Sequence, residues 1–268
     1  MMTMPPITRL LRTLLTTAGP LAAACALSSC NSLPTMTPGS FNTVVIDAGH
    51  GGKDNGAHSR GGLMEKTVAL DTALRLRPLL QRAGYRTVLV RSDDTFVELD
   101  DRVAIANRYP RGILVSIHYD YSPGGWPEGV QTFFWRTDSY GLAKRVERQL
   151  ALRTGQGYRG ATRRVLRLTH NPRIPSILCE CGFLSNSREA TLISSPGYRQ
   201  QVAQGIAEGI AEQHEHGDVG IGTLPNPPGP TVHRSVPAQR HHYRSKGRVK
   251  SRGKISSSSR ERRRHRRR

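Results

Sequence analysis

Cysteine is scarce in this sequence. The 268 residues contain four cysteines, and only Cys179 and Cys181 lie away from the N-terminus. Such a pattern gives no disulfide framework that could stabilise a set of small domains. The chain is long enough to bury one well-filled hydrophobic core with additional tails, so we predict a single folded domain.

Acidic residues are also few: 20 stand against 40 Lys and Arg, which gives a formal net charge of +20. Most of this excess lies at the C-terminus, where the residues from Gly217 onward include 15 Lys and Arg and only two acidic residues, Asp218 and Glu261. Arg9 and Arg12 lie at the other end, so the body of the chain carries only +5. The body is therefore only mildly basic, and its charge alone does not indicate a nucleic-acid-binding domain.

The N-terminal apolar stretch is too short for a comfortable membrane span, and Gly19 and Pro20 interrupt it. Residues 5–30 instead have the layout of a secretory signal peptide, with a basic start, an apolar middle and small residues before Cys30. We therefore predict that residues 1–30 are a signal peptide and that the protein is exported, to the periplasm or cell envelope.

The last four residues of this segment, Leu-Ser-Ser-Cys at 27–30, resemble the bacterial lipobox, in which the cysteine is lipidated. This pattern predicts a lipid anchor on Cys30. The alternative is ordinary cleavage after a small residue, which would release a soluble protein. Residues 31–42, which contain Pro34, Pro38 and Gly39, are predicted to be a linker.

The C-terminal segment, residues 217–268, contains mainly Pro, Gly, Ser and basic residues. It has almost no apolar side chains to bury, so we predict disorder. Behind an export signal, anionic envelope polymers or lipid headgroups are the expected partners, and no specific nucleic acid is expected. The alternative is a solvated extension without a partner.

The body of the chain alternates between two hydrophobic periodicities. Strands are predicted at residues 43–46, 85–90, 112–118, 130–135, 165–168 and 176–180, and helices at residues 66–83, 99–109, 139–152, 188–193 and 196–214. Strands separated by helices favour a single α/β domain, built on a mostly parallel mixed sheet with helices on both faces. In such sheets ligands bind at the carboxyl ends of the strands.

Four polar residues fall at or just after the C-terminal end of a predicted strand: Asp47, His50, His118 and Glu180. Each has an ordinary structural explanation as well as a functional one. His50 is surrounded by glycines, which favours close approach to a ligand over simple solvation. His118 could be a buried core histidine, and Glu65, at the start of a helix, is favoured there by the helix dipole without any metal.

Together these residue types match a catalytic zinc site, in which three His and carboxylate ligands leave one position open for water. Zinc lowers the pKa of that water to about 7 and polarises a substrate carbonyl. A carboxylate that is not a ligand must then accept the proton of the water and pass it to the leaving amine. Glu180 lies on the same predicted edge and is the candidate for this role.

The chain from about residue 43 to 213 resembles the zinc-dependent N-acetylmuramoyl-L-alanine amidases of the type-3 amidase family. Several motifs occur in the family's order: VVIDAGHGGKDNGA, GLMEKTVALD, VLVRSDDTFVELDDRVAIANRY, ILVSIHYD, GVQTFFW and ILCECGFLSNSREATLI. The resemblance implies that residues 43–216 form an amidase catalytic domain that acts on peptidoglycan. The bond cleaved would be the amide between N-acetylmuramic acid and the L-alanine of the stem peptide.

The resemblance also implies a role for each matching residue. His50, Glu65 and His118 would bind one Zn²⁺ per chain, and Glu180 would be the catalytic glutamate. The chain departs from the family at Asp120, where Asn is common, so we expect Asp120 at most beside the metal ligands. It also has no long insertion between Trp135 and Glu180 of the sort that supplies an inhibitory helix in some relatives, which predicts a constitutively open site.

Three other functions remain open at this point. One is a different zinc amide hydrolase that cuts within the stem peptide. Another is a non-catalytic wall-binding protein, although all three expected ligands and the glutamate are present. The third makes the basic tail the main functional element, with nucleic acid as its partner, but nothing else in the body favours it.

The pair Cys179 and Cys181 flanks Glu180 and could suggest a metal site or a disulfide. On a strand the two cysteines share one face and Glu180 takes the other. Their Cα atoms would lie about 6.6 Å apart with parallel Cβ directions, which is unfavourable for a disulfide. We therefore expect both cysteines to be small apolar core residues beneath a helix.

Overall fold

The computed structural model describes residues 35–222 and residue 224. The predicted signal peptide, Cys30 and nearly all of the basic tail lie outside the described residues. The strands are β1 (Thr43–Ala48), β2 (Arg86–Leu89), β3 (Gly112–Asp120), β4 (Val130–Phe134), β5 (Tyr158–Arg163) and β6 (Ser176–Phe183). The helices are α1 (Glu65–Arg82), α2 (Leu99–Ala106), α3 (Tyr140–Thr154), α4 (Arg167–His170), α5 (Ser187–Ser194) and α6 (Pro196–His216), with a 3-10 turn at Thr137–Ser139.

The six strands form one sheet in the order β2-β1-β3-β6-β4-β5. Neighbouring strands are parallel except at β4 and β6, which pair antiparallel. The domain is therefore an α/β fold with a mostly parallel mixed sheet, as the alternating sequence pattern predicts. The carboxyl ends of β1, β3 and β6 meet at one edge, while β4 and β5 begin there.

Helices cover both faces of this sheet. The larger core lies under α1, α3 and α6 and includes the apolar residues of β1, β3 and β6 that point to that face. A smaller cluster on the opposite face joins Val45 and Leu114 of the sheet to Val103 of α2 and Leu168 of α4. None of the helices within residues 35–222 combines the length and apolarity that crossing a bilayer requires.

The packing of α6 against α3 depends on two glycines. A Cβ atom on Gly209 would lie 2.4 Å from the Cα of Val146, and one on Gly205 would lie 2.9 Å from the Cα of Leu150. Only glycine permits the two helix backbones to approach so closely. This contact holds α3 over the half of the sheet that carries β4 and β5.

The prediction of a strand at residues 165–168 is wrong. The edge strand is β5, residues Tyr158–Arg163, and Arg167–His170 is a short helix. β5 consists mostly of Arg, Gly and Thr with exposed or half-buried side chains, so it lacks the apolar pattern of a central strand. The buried Leu168 belongs to the helix, whose start is fixed by a hydrogen bond from the Leu166 N–H to the Thr169 Oγ1 (3.1 Å).

The folded domain extends beyond residues 43–216 at both ends. Met36 and Phe41, in the predicted linker, are buried in the larger core. The Met36 N–H donates to the Asp218 carboxylate (2.7 Å), and the Asp218 N–H donates to the Met36 carbonyl (2.8 Å). Ile221 is also buried. Residues 36–42 and 217–221 therefore pack on the domain instead of forming part of the linker and the tail.

Candidate active site

The expected site residues come together at the edge where β1, β3 and β6 end. His50 lies in the loop after β1, and Glu65 is the first residue of α1. His118 of β3 and Glu180 of β6 are paired directly across the two strands. Residues that are up to 130 positions apart in sequence thus line one cavity of about 430 Å³.

The loop that carries His50 has a strained backbone. His50 has φ +60°, and it is the only residue other than glycine with positive φ among residues 35–222. Such a conformation is costly for a residue with a Cβ atom and persists only where the surroundings enforce it. In this conformation the His50 imidazole lies next to Glu65 and His118.

Two glycines leave room for the three side chains. A Cβ on Gly49 would lie 2.4 Å from the His118 ring, and a Cβ on Gly56 would lie 2.5 Å from a Glu65 carboxylate oxygen. Any larger residue at either position would displace a site residue. The glycine-rich sequence therefore serves close packing around His118 and Glu65 as well as the turn itself.

His50, Glu65 and His118 form a compact group of metal-ligand type. The Nε2 of His50 lies 2.9 Å from one oxygen of Glu65, and the Nδ1 of His118 lies 2.8 Å from the other. One potential ligand atom from each residue lies within 4.8 Å of the other two. Hydrogen bonding to the two histidines holds the pKa of Glu65 well below its usual range despite burial, so Glu65 is ionised.

Backbone and side-chain hydrogen bonds orient this group. Glu65 accepts hydrogen bonds from the N–H groups of Ala57 (2.8 Å) and Tyr119 (3.1 Å), one on each oxygen. The other ring nitrogen of His50, Nδ1, lies 2.8 Å from Asp54. Burial lowers the pKa of His50, but Glu65 and Asp54 raise it by more. A carboxylate behind an imidazole is the usual outer partner of a metal-binding histidine.

Asp47 does not face the cavity. It is fully buried and accepts hydrogen bonds from Arg102 of α2 (2.7 Å) and from the Ser116 hydroxyl (2.6 Å). Arg102 also donates to the His50 carbonyl (2.7 Å), and Arg91 donates to the carbonyl of Gly49 (2.7 Å). Asp47 therefore supports the loop through Arg102 instead of meeting a ligand.

Arg91, Arg102 and Asp54 support the site although the sequence pattern does not indicate them. Both arginines lie within the stretch that carries the family resemblance, but a charged residue in such a stretch normally reads as exposed. Both arginines are buried because they donate hydrogen bonds to backbone carbonyls of the loop around His50. The sequence gives no sign of these contacts, since they form only in the folded chain. Asp54 lies four residues after His50, and that short spacing is the one signal that could have indicated it.

Glu180 faces the same cavity without touching the three candidate ligands. Its Oε2 atom is buried and has no hydrogen-bond partner among the described residues. Burial raises the pKa of Glu180 well above its usual value, the negative charges of Glu65 and Asp120 raise it further, and Arg164 opposes them. A carboxyl group of raised pKa, free of other bonds and open to a cavity, is suited to proton transfer.

Asp120 lies beside Glu180 and lines the same cavity. It accepts a hydrogen bond from the Tyr121 N–H (2.6 Å), and burial is the main cause that raises its pKa. It does not belong to the group of three candidate ligands. Its effect on Glu180 is electrostatic, because the negative charge of Asp120 helps to raise the pKa of Glu180.

Cys179 and Cys181 are free, fully buried thiols on the opposite face of β6 from Glu180. Both pack in the larger core. Burial raises the pKa of each thiol, so neither is a reactive thiolate or a ready metal ligand. The prediction that they are apolar core residues is confirmed.

Comparison with known proteins places this geometry in a family. The model of the Amidase_3 family, described as N-acetylmuramoyl-L-alanine amidase, matches residues 44–212. The N-acetylmuramoyl-L-alanine amidase LytC of Bacillus subtilis (strain 168) is 34% identical over 176 residues, which cover 64% of this chain and 35% of LytC. The germination-specific N-acetylmuramoyl-L-alanine amidase of the same strain is 32% identical over 196 residues, covering 66% of this chain and 81% of that protein.

Solved structures agree with the sequence comparisons. The catalytic domain of the N-acetylmuramoyl-L-alanine amidase CwlV from Bacillus (Paenibacillus) polymyxa var. colistinus superposes with a TM-score of 0.62 at 37% identity, covering 64% of this chain and 97% of that domain. The match to that isolated domain is thus nearly complete, whereas the chain spans about a third of LytC. The chain belongs to the N-acetylmuramoyl-L-alanine amidase family of the Amidase_3 type.

Proposed function

We propose that this protein is a zinc-dependent peptidoglycan hydrolase that cleaves the amide between N-acetylmuramic acid and the L-alanine of the stem peptide. The observation that carries the proposal is the arrangement of His50, Glu65 and His118 next to an unpartnered Glu180. Family membership supports the same reaction, since the family model, LytC and CwlV are each named as N-acetylmuramoyl-L-alanine amidases.

The three side chains fit a zinc ion by the chemistry of their donor atoms. Two imidazole nitrogens and one carboxylate are a usual ligand set for catalytic zinc, and they leave a position open. Asp54 orients His50 from behind, and two backbone N–H groups orient Glu65. A zinc ion bound there would polarise the scissile carbonyl and lower the pKa of a water molecule to about 7.

Glu180 provides the proton transfer in this proposal. Glu180 lines the cavity that holds the candidate ligands, and its Oε2 has no hydrogen-bond partner among the described residues, so its carboxylate can accept a proton from the attacking water and deliver it to the amine of L-alanine. Because Glu180 is not a candidate ligand, its removal should separate chemistry from metal binding. The antiparallel β4 fixes its position, with Gln131 paired across from it.

Zymography on peptidoglycan, together with measurement of bound zinc, tests this proposal. Wild-type protein should clear the gel, EDTA should abolish clearing, and added zinc should restore it. Glu180→Gln should keep about one zinc per chain yet lose at least ~100-fold in rate. Full activity after the metal is removed, or in Glu180→Gln, would contradict the proposal.

The location of the enzyme is part of the proposal. We infer that residues 1–30 direct export and that Cys30 is lipidated, which would anchor the enzyme in the cell envelope where its substrate lies. The residues after 224 would add an attraction to anionic envelope polymers. Labelling with a palmitate analogue should mark the wild type but not Cys30→Ala, and an unlabelled wild type would contradict the anchor.

A further inference from the structure

A loop beside the candidate active site displays an exposed tryptophan. The loop joins β3 to β4 through residues 121–129, and the side chain of Trp126 is 88% exposed while Tyr121 is 54% exposed. An isolated exposed aromatic residue is ordinary on a protein surface. Trp126 differs from an ordinary exposed aromatic residue in two ways. Hydrogen bonds hold its loop against the domain, and the loop lies beside the cavity of the candidate metal ligands.

Hydrogen bonds fasten both halves of this loop. The Ser122 N–H donates to the Ser185 hydroxyl (3.0 Å), and the Gly129 N–H donates to the Glu189 carboxylate (2.7 Å). Glu189 is only 1% exposed, and its other oxygen accepts from the Phe183 N–H (2.6 Å). A buried carboxylate is unfavourable unless it accepts hydrogen bonds. Breaking the bond from the Gly129 N–H would leave a Glu189 oxygen without that partner, so this bond holds the loop in one conformation.

Close packing restricts the loop further. Gly124 and Gly125 have φ +92° and +69°, and a Cβ on Gly125 would lie 2.7 Å from the Ser185 carbonyl oxygen. The indole of Trp126 lies beside Gly124, where a Cβ would be 3.0 Å from its Cδ1. Pro127 follows Trp126 and restricts the backbone on the other side. The backbone that carries the exposed indole is thus restricted on both sides of Trp126.

The groove below the loop continues the catalytic cavity. The 430 Å³ cavity at the metal centre and an adjoining cavity of about 130 Å³ share His58 and Tyr121. The adjoining cavity is lined by hydroxyl and cationic groups, namely Ser59, Arg60, Ser122 and Ser185, and by Gly124, against which the indole lies. Aromatic faces next to hydroxyl groups are the chemistry of a sugar site, because pyranose rings offer an apolar C–H face and a rim of hydroxyls.

We propose that Trp126 and Tyr121 bind the glycan strand of peptidoglycan and hold it in the groove that passes His58. This inference rests on the proposed function, in which the sugar lies on one side of the scissile amide and the peptide on the other. Indole stacking on a sugar ring away from the reacting bond would favour polymeric substrate over a single muropeptide. Trp126 acts here as a specificity-determining residue outside the metal centre.

A binding experiment tests the contact separately from hydrolysis. Glycan strands stripped of their stem peptides contain no scissile amide, so their affinity for the zinc-loaded protein can be measured by isothermal titration calorimetry. Wild type should show saturable binding. Trp126→Ala should bind about three- to tenfold more weakly, and Trp126→Phe should retain an intermediate affinity. Leu152→Ala, an exposed apolar residue of α3, is the matched control and should bind as wild type.

A kinetic experiment tests the consequence for substrate choice. Trp126→Ala should raise KM about three- to tenfold on soluble multi-disaccharide peptidoglycan fragments while kcat stays near wild type. A single disaccharide-peptide unit would occupy the 430 Å³ cavity, which Trp126 does not line, so both constants should remain unchanged on this substrate. Because the side chain is largely exposed, the melting temperature of Trp126→Ala should stay within about 2 °C of wild type.

Three results would overturn the inference. Equal glycan affinity of wild type and Trp126→Ala would do so, as would an equal loss of rate on short and long substrates. Binding of anionic lipid vesicles through Trp126, with no binding of peptide-free glycan, would show that the loop contacts the membrane instead. Glycan binding by a wild type that cleaves no amide would reject the proposed function and leave the glycan contact standing.

Discussion

The strained backbone of His50 shows how single residues define this site. Its φ of +60° is held by hydrogen bonds that Arg91 and Arg102 make to carbonyl groups of the loop. The imidazole is then fixed from the other side by Asp54 at 2.8 Å. Three polar side chains from separate parts of the chain therefore determine one ring position, which explains why a costly conformation persists.

Asp54 should contribute to metal affinity through His50. Asp54→Asn replaces an ionised partner of the imidazole with a neutral one, so zinc affinity should fall about 10- to 100-fold. Competition with a zinc-binding dye measures the change. Asp101→Asn, an exposed position on α2 without a hydrogen-bond partner among the described residues, is the control. Unchanged affinity in Asp54→Asn would contradict the role given to this carboxylate.

Glu147 should make stability depend on pH. It is fully buried in α3, and neither oxygen has a hydrogen-bond partner among the described residues. Burial raises its pKa to about 8, and the positive charge of Arg159 opposes this only in part. Between the unfolded pKa of about 4.5 and the folded pKa of about 8, only the unfolded state is ionised, so stability falls as pH rises.

Glu147→Gln removes this ionisation and tests the assignment. Between pH 5 and pH 8.5 the free energy of unfolding of the wild type should fall by about 1–3 kcal/mol more than that of the variant, because the variant has no charge to bury. Urea denaturation at the two pH values measures the difference. Parallel pH dependence in wild type and variant would show that Glu147 ionises freely in the folded protein.

At the scale of elements, sequence patterns identify the central strands and fail at the edge. β1, β3 and β6 are apolar strands, and His50, His118 and Glu180 lie near their carboxyl ends, so periodicity and strand position together locate the site. β5 is an edge strand of arginines and small residues, and its stability comes from pairing with β4. The sequence also does not predict that Arg91 and Arg102 are buried, because their burial depends on tertiary contacts with the backbone of the loop.

The contact between α3 and α6 should be sensitive to one methyl group. Gly209→Ala would place a Cβ 2.4 Å from the Val146 backbone, so the helices must separate. We expect a loss of about 1–3 kcal/mol, even though alanine favours a helix over glycine. Gly197→Ala, also in α6, meets only the Ser195 hydroxyl at 3.5 Å and should be neutral or stabilising. Equal melting temperatures for the two variants would contradict this account of the packing.

The whole molecule joins a closed α/β domain to a strongly basic C-terminus. The mutual hydrogen bonds of Met36 and Asp218 close the domain, and the family match ends at residue 212. A chain ending at Leu224 should therefore keep its rate on soluble fragments. It should lose the salt-sensitive part of its retention on walls that carry anionic polymers, since it lacks all 15 Lys and Arg residues that follow Gly217. Unchanged retention at low salt would argue against a role for the tail in wall binding.

The cavity that holds His50, Glu65, His118 and Glu180 is open within the described part of the chain. The described elements between Trp135 and Glu180 are the 3-10 turn, α3, β5 and α4, and none of their residues lines this cavity. Purified, zinc-loaded protein should hydrolyse peptidoglycan without an activating partner. Strong activation by a separate regulatory domain would show that the site is closed in solution.

Identification of the products formed by the zinc-loaded enzyme tests the central claim most directly. Mass spectrometry of digested peptidoglycan should show intact stem peptides with a free L-alanine N-terminus, together with glycan that has lost its peptides. Glu180→Gln with an unchanged zinc content should release neither. Peptides cut within the stem, or the same products from Glu180→Gln at the wild-type rate, would contradict a muramoyl–alanine amidase in which Glu180 transfers the proton.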